Sequence, residues 1–98
     1  MNFEVLFLDL AELDLDDIAA YLLQYSPNAA TRFFDALEEQ MLLLCQYPRM
    51  CPVYRWDENY RRAIVDKFSI FYQIDEEAGR ILVFRVLHSS RNIQNELK

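Results

Sequence analysis

The chain has one glycine, Gly79, in 98 residues. A phosphate-cradling loop or a dinucleotide fingerprint needs several glycines at fixed spacing, so both are excluded. Histidine is as scarce, with His88 alone, and the two cysteines, Cys45 and Cys51, flank Tyr47-Pro48. A structural zinc site wants four ligands, so this set does not make one, and neither a metal nor another cofactor is expected. No apolar run approaches the roughly 18 residues of a membrane span. The N-terminus shows neither a basic region nor a cleavable apolar segment, so a secretory signal is not expected. A reducing cytoplasm is then the default, with both cysteines read as packing thiols.

Basic residues are the other shortage, and they are unevenly placed. Residues 1–48 carry nine acids and one base, Arg32, while residues 49–98 carry nine bases and seven acids, for a net charge of −6. The acidic half reads as a solvated helical face, and the basic half as the place where an anionic partner would be met. The overall sign argues against extensive direct nucleic-acid binding, which runs on counterion release by many Lys and Arg. What the chain has in quantity is apolar surface, 53% of residues with 14% aromatic, enough for one domain spanning 1–98 with its own core.

Residues 3–8 read as a strand, apolar enough to be buried on both faces. Asp9 fits a helix N-cap, with Glu12 as the reciprocal member of a capping box. Ala11, Leu15, Ile18, Leu22 and Tyr25 then recur at helical spacing. Ser26-Pro27 breaks this helix and starts a second, capped by Ser26, that runs to about Gln46 on a stripe of Ala30, Phe33, Phe34, Leu37, Met41 and Leu44. So short a link predicts an antiparallel helical hairpin. Pro48 and Pro52 mark an irregular stretch to about Asn59, whose Tyr54 and Trp56 are expected to cover the end of the core, the other reading being that they stack on a partner. Tyr60–Asp66 and Phe68–Asp75 form a tight hairpin, with Phe68, Ile70, Tyr72 and Ile74 on one face. Gly79 is expected to supply a positive φ in the next turn. Arg80–His88 is apolar on both faces (Ile81, Val83, Leu87 and Leu82, Phe84, Val86), as a central strand should be. Ser89 or Ser90 would cap a short last helix holding Ile93 and Leu97. The fold class is therefore α+β, β-α-α-β-β-β with a short C-terminal helix, the hairpin of helices packed on a mainly antiparallel sheet.

The residues able to do chemistry are few. His88 ends the last strand, with Arg85 three residues before it and Arg91 three after, while Arg61 and Arg62 open the hairpin and Lys67 sits at its turn. Guanidinium groups around an imidazole suit phosphodiester cleavage, one holding the phosphate and the other moving a proton. The plainer role for a strand-end histidine is to hydrogen-bond its neighbours. No serine follows a glycine elbow, and nothing local favours a cysteine nucleophile. Asp14, Asp16 and Asp17 resemble a carboxylate cluster but do not all share one helical face.

Together these segments resemble the RelE/ParE superfamily, the toxins of type II toxin–antitoxin pairs, and the ParE branch most. Ala11-x-x-Asp14-Leu15-x-x-Ile18-x-x-Tyr21 is similar to the family's first helix, and Pro27-x-Ala29-Ala30-x-Arg32-Phe33-x-x-Ala36-Leu37 to its second. Leu44-x-x-x-Pro48 resembles the close of that helix. Arg61 followed by Phe68-x-Ile70-Phe71-Tyr72-x-Ile74-Asp75 resembles the hairpin, and Ile81 to Val86 with His88-x-x-Arg91 the last strand and its exit. The resemblance implies a helical hairpin on an antiparallel-rich sheet and a cognate antitoxin as partner, with a homodimer inside a toxin–antitoxin heterotetramer as one possible assembly. Plasmid stabilization is the setting the family suggests.

The implied activity splits. RelE-like members cleave mRNA in the ribosome, whereas ParE-like members poison DNA gyrase. RelE-like nucleases carry an arginine just after the aromatic that opens the second hairpin strand, where this chain has Ser69, and the family's usual glycine in the hairpin turn is Asp66. The expectation is a ParE-like gyrase inhibitor that is not an enzyme. The alternatives are a RelE-like endoribonuclease using His88, Arg61 and Arg91, or an attenuated member that only binds its antitoxin. The residues expected to meet target or antitoxin are Trp56, Arg61, Arg62, Lys67, Arg85, His88 and Arg91. Leu6, Leu8, Phe71 and Phe84 are expected to be only partly covered. The plainer role for Arg61 and Arg91 is to pair with acids such as Asp57 or Asp66.

Overall fold

A computed structural model of the chain describes residues 2–90 and 93–97. The elements follow the expected order: β1 (Glu4–Phe7), α1 (Asp9–Leu23), α2 (Pro27–Gln46), β2 (Arg61–Val65), β3 (Phe68–Asp75), β4 (Arg80–His88) and α3 (Ile93–Glu96). The sheet order is β1-β4-β3-β2, with β1 parallel to β4 and the other neighbours antiparallel. β3 and β4 are thus the interior strands, which is why both carry apolar residues on each face.

The helices cover one face. Ala11 and Ile18 of α1 and Phe33, Leu37, Met41 and Leu44 of α2 pack on Ala63, Val65, Phe68, Ile70, Tyr72, Ile81, Val83 and Val86. Ser26 caps α2 by accepting from the Ala29 N–H at 3.0 Å, with Pro27 in the first turn where its missing N–H costs nothing. On the opposite face a smaller cluster joins Phe71 and Leu87 to Tyr54 and Ile93, with Tyr60 and Leu97 packed against it. The irregular segment and α3 therefore roof the second face, and Tyr54 covers the core as expected, whereas Trp56, expected to do the same, is 59% exposed and outside that cluster.

Several expectations need correction. Leu8, not Asp9, precedes the first helical turn, and no side chain caps it: Asp9 is already helical, and the Glu12 N–H bonds the Leu8 carbonyl directly. β1 is an edge strand rather than one buried on both faces, and Leu6 is 43% exposed. Tyr25 lies beyond the end of α1 and is 69% exposed, so the seam closes at Leu22. Phe71 is fully buried beneath Tyr54 and Tyr60. A bulge between Phe71 and Tyr72 changes the pattern of β4, pairing Phe71 with Arg85 and Tyr72 with Val83. One extra β4 residue flips the alternation there, so Val86 joins Ile81 and Val83 under the helices while Leu87 turns to the second face. Gly79 takes φ +66° as expected, and Asp66 takes φ +56°, the left-handed conformation that favours glycine at the hairpin turn. Ser89 and Ser90 lie in a turn, and the residues between that turn and α3 fall outside the described set, as does Arg91.

Candidate functional site

The charged residues singled out in the sequence divide between two ends of the sheet. Arg61 pairs with Tyr72, whereas Val65, Phe68 and His88 lie side by side at the other end. Four residues of strand, roughly 13 Å at the usual rise, separate the two groups.

At the first end, Arg61 does not pair with Asp57 or Asp66. Its guanidinium donates to the Cys51 carbonyl at 2.7 Å and to the Arg49 carbonyl at 3.5 Å. The adjoining Tyr72 hydroxyl donates to the Pro48 carbonyl at 2.8 Å. Two side chains from the sheet thus tie down the loop after α2, satisfying carbonyls that no strand or helix serves. Burial, then the neighbouring Cys51, pushes the Tyr72 phenol well above its ordinary value. Arg49 bonds Glu76 across the mouth of a shallow depression that Arg61 also lines. Arg62 stands over the Tyr54 ring, and Arg55 over the exposed Trp56 ring at 4.6 Å. Both cysteines are free thiols; Cys51 is buried near Gln40, and burial pushes the half-buried Cys45 thiol upward.

The second end holds a cleft of about 450 Å³ between α1 and the close of β4. Asp14, Asp17, Ile18 and Tyr21 form one wall, and Phe68 with the run from Arg85 to His88 and Ser90 forms the other. Arg85 lies here but is occupied: its Nε and Nη2 donate to the two Asp14 carboxylate oxygens at 2.8 and 2.9 Å. Asp14 also accepts the Val86 backbone N–H at 2.9 Å, and Arg85 reaches α3 through the Glu96 carbonyl and carboxylate. Hydrogen bonding to Asp14 raises the already high Arg85 pKa, so its charge is permanent and matched. This fork-to-fork pair locks helix, sheet and C-terminal helix together.

His88 stacks edge-on against Phe68, and its Nδ1 accepts from the Ser90 backbone N–H at 3.1 Å and lies 2.7 Å from the Ser90 hydroxyl. An Nδ1 that accepts assigns the proton of the neutral ring to Nε2. The imidazole can then offer a hydrogen bond outward, while its lone pair is engaged. Lys67 is exposed at the same end, where its backbone carbonyl accepts from the Ser89 N–H. Its charge acts on Tyr25, whose phenol is raised chiefly by the hydrogen bond with Tyr21. The signal for the α1 wall was present in the sequence: Asp14, Asp17 and Tyr21 follow one another at spacings of three and four beside the buried seam, one helical face that the apolar pattern masks.

The comparisons with known proteins fit this geometry. The family described as the ParE toxin of type II toxin–antitoxin systems matches residues 5–93. The chain belongs to the ParE toxin family. Among solved structures, this toxin is similar to the RelBE2 toxin–antitoxin complex of Mycobacterium tuberculosis, with TM-score 0.66 and 22% identity over 90% of this chain and 99% of that one. It is also similar to the chromosomal ParDE system of P. aeruginosa, with TM-score 0.67 and 21% identity over 88% of this toxin and 95% of that chain. A double mutant of the E. coli toxin RelE in its free state gives TM-score 0.67 at 12% identity over 98% and 93%. At these identities the structural likeness speaks for the fold. No curated protein matches the toxin in sequence.

Proposed function

We propose that this ParE-family toxin acts by inhibiting DNA gyrase without cleaving RNA, and that a cognate antitoxin holds it inactive. The observation that carries this reading is the chemistry of the His88 end. A phosphodiester clamp needs unpaired cations converging on one point and a base with a free lone pair. Arg85 is matched by Asp14, His88 has its Nδ1 engaged by Ser90, and Asp17 adds a negative charge to the same cleft. Arg61 lies at the opposite end of the sheet, tied to loop carbonyls. Ser69, where the resemblance puts an arginine in the nucleases, is fully buried and lies 3.5 Å from the Ser89 hydroxyl.

The antitoxin reading follows from membership of a two-component family, and from the presence of toxin–antitoxin complexes among the similar structures. The exposed Leu6 on the edge strand and Leu10 and Leu13 on α1 offer apolar surface for a segment that orders on binding. Expression of the toxin alone should arrest growth, and the purified toxin should inhibit gyrase supercoiling while leaving ribosome-bound mRNA intact. Ribosome-dependent cleavage lost in His88→Ala would reverse the assignment. Co-expression with the adjacent reading frame should give a complex on size exclusion, and separate elution at micromolar concentration would remove the antitoxin claim.

A further inference from the structure

We infer that the cleft between α1 and the end of β4 is a seat for an arginine side chain presented by a partner protein. The cleft has an apolar floor of Ile18, Phe68 and Val86, suited to a methylene stem. Its polar groups are mostly satisfied among themselves. Asp14 is saturated by Arg85 and the Val86 N–H, the Tyr21 hydroxyl meets the Tyr25 hydroxyl at 3.2 Å, and His88 Nδ1 is held by Ser90. Two groups remain with no described partner: the exposed Asp17 carboxylate and the Nε2–H of His88.

Those two, with the Tyr21 ring, define the ligand. Among the described residues that line the cleft, Asp14 and Arg85 cancel and Asp17 is left as the uncompensated charge, so an anionic ligand meets repulsion from that wall and no unpaired lining cation. A guanidinium can take the Asp17 carboxylate while lying over the half-exposed Tyr21 ring, whose hydrogen bond to Tyr25 fixes its orientation. The Nε2–H of His88 is left to bond the backbone carbonyl of the segment that carries the arginine. The volume, about 450 Å³, leaves room for the side chain and that backbone. The surrounding field favours the same sign, since the first 48 residues, which form β1 and both long helices, hold nine acids and one base. For the source of the arginine, the assignment rests on the antitoxin reading above.

The seat can be tested without that partner. N-acetyl-arginine methylamide should produce saturable shifts in the amide correlation spectrum of the full chain, confined to Asp17, Tyr21 and Val86 to Ser90. Asp17→Asn should weaken the apparent affinity about two- to fivefold, the loss expected for an exposed charge pair, and N-acetyl-glutamine methylamide should bind no better to the wild type than the arginine probe binds to that variant. Asp17 is exposed and its variant should keep the remaining spectrum unchanged. Absence of saturable shifts, equal affinity in Asp17→Asn, or equal binding of N-acetyl-glutamate would overturn the seat. In the purified toxin–antitoxin complex the probe should no longer shift these residues. Persistence there would overturn the antitoxin as the source of the arginine, whereas the existence of an antitoxin is decided separately by co-elution.

Discussion

At the Arg61 end of the sheet the polar side chains look inward. Arg61 and Tyr72 spend their hydrogen bonds on the carbonyls of Cys51, Arg49 and Pro48, and the loop after α2 is fastened to the strands as a result. At the His88 end the polar groups surround a cleft, and Asp17 and one side of His88 face outward into it. Both ends carry a nitrogen-bearing side chain at a strand terminus with an aromatic beside it, Arg61 with Tyr72 and His88 with Phe68, so the two look alike in sequence. Their difference lies in what crosses over them. A proline-bearing loop supplies carbonyl acceptors to the first end, while α1 supplies carboxylates and a tyrosine to the second. A cation at the first end is structural, and the second end is open to a ligand.

That contrast can be broken most severely at Arg85, the one guanidinium among the described residues lining the open cleft, and one already engaged by Asp14. Its side chain and that of Asp14 are 15% and 13% exposed. Arg85→Met leaves the Asp14 carboxylate facing an apolar neighbour, which costs about 3 kcal/mol or more for a buried pair broken on one side. In a domain of this size that lowers the melting temperature by more than about 10 °C, readable by calorimetry. The double variant Arg85→Met with Asp14→Asn, which removes the charge and keeps an acceptor for the Val86 N–H, should recover much of the loss; no recovery would mean that the pair is not what holds α1 to β4.

Arg61→Ala should come next. As an exposed ion pair Arg61 would be worth about 0–1 kcal/mol, but charged hydrogen bonds to loop carbonyls predict a loss of about 1–2 kcal/mol, and faster proteolysis within 48–60. A variant with wild-type urea midpoint would return Arg61 to the solvated surface.

Tyr72→Phe should cost about 1 kcal/mol at neutral pH through its bond to Pro48. Because burial raises the Tyr72 pKa, its contribution is complete below the ordinary phenol value of 10.0 and is lost as pH rises toward the folded value. Wild-type stability should therefore fall above about pH 10, and Tyr72→Phe should flatten that fall, with Tyr60, raised mainly by burial, leaving a remainder. Parallel stability–pH curves for the two proteins would contradict this.

The smallest effects belong to the partly buried His88 and the exposed Trp56. His88→Ala should cost about 1 kcal/mol through its contacts with Phe68 and Ser90, and Trp56→Ala should change stability by no more than about 0.5 kcal/mol. In a supercoiling assay His88→Ala should inhibit gyrase as the wild type does, and loss of inhibition would place His88 at the target interface.

Much of the fold could be read in the residues. The Ser26-Pro27 start of α2, its stripe from Ala30 to Leu44, the tight turn before Phe68 and the positive φ of Gly79 are all local consequences of side-chain size, φ restriction and periodicity, and each was found where the sequence put it. β4 reads as a central strand from its two apolar faces and is one, but the full strand order and the edge position of β1 could not be read this way. β1 looks doubly buried because every residue from Phe3 to Leu8 except Glu4 is apolar, but it took an edge position, and burial on the second face depends on a neighbour that the strand does not encode. The β4 bulge is invisible in Arg80–His88 because an extra residue leaves the composition unchanged while swapping the faces of Val86 and Leu87.

The site divides along the same line. Sequence alone supplied the types and order of the charged residues, the acidic first half, the single histidine and the family pattern, because these depend only on what is covalently present. Tertiary structure decided which charges remain available. Asp14 and Arg85 are 71 residues apart in the chain, and only the packing of α1 on β4 brings them to 2.8 Å, neutralising the guanidinium and leaving Asp17 as the uncompensated charge among the described residues that line the cleft. Electrostatic interactions fall with distance in space and are strengthened by burial, and the positions of residues along a chain specify neither quantity until the elements have packed.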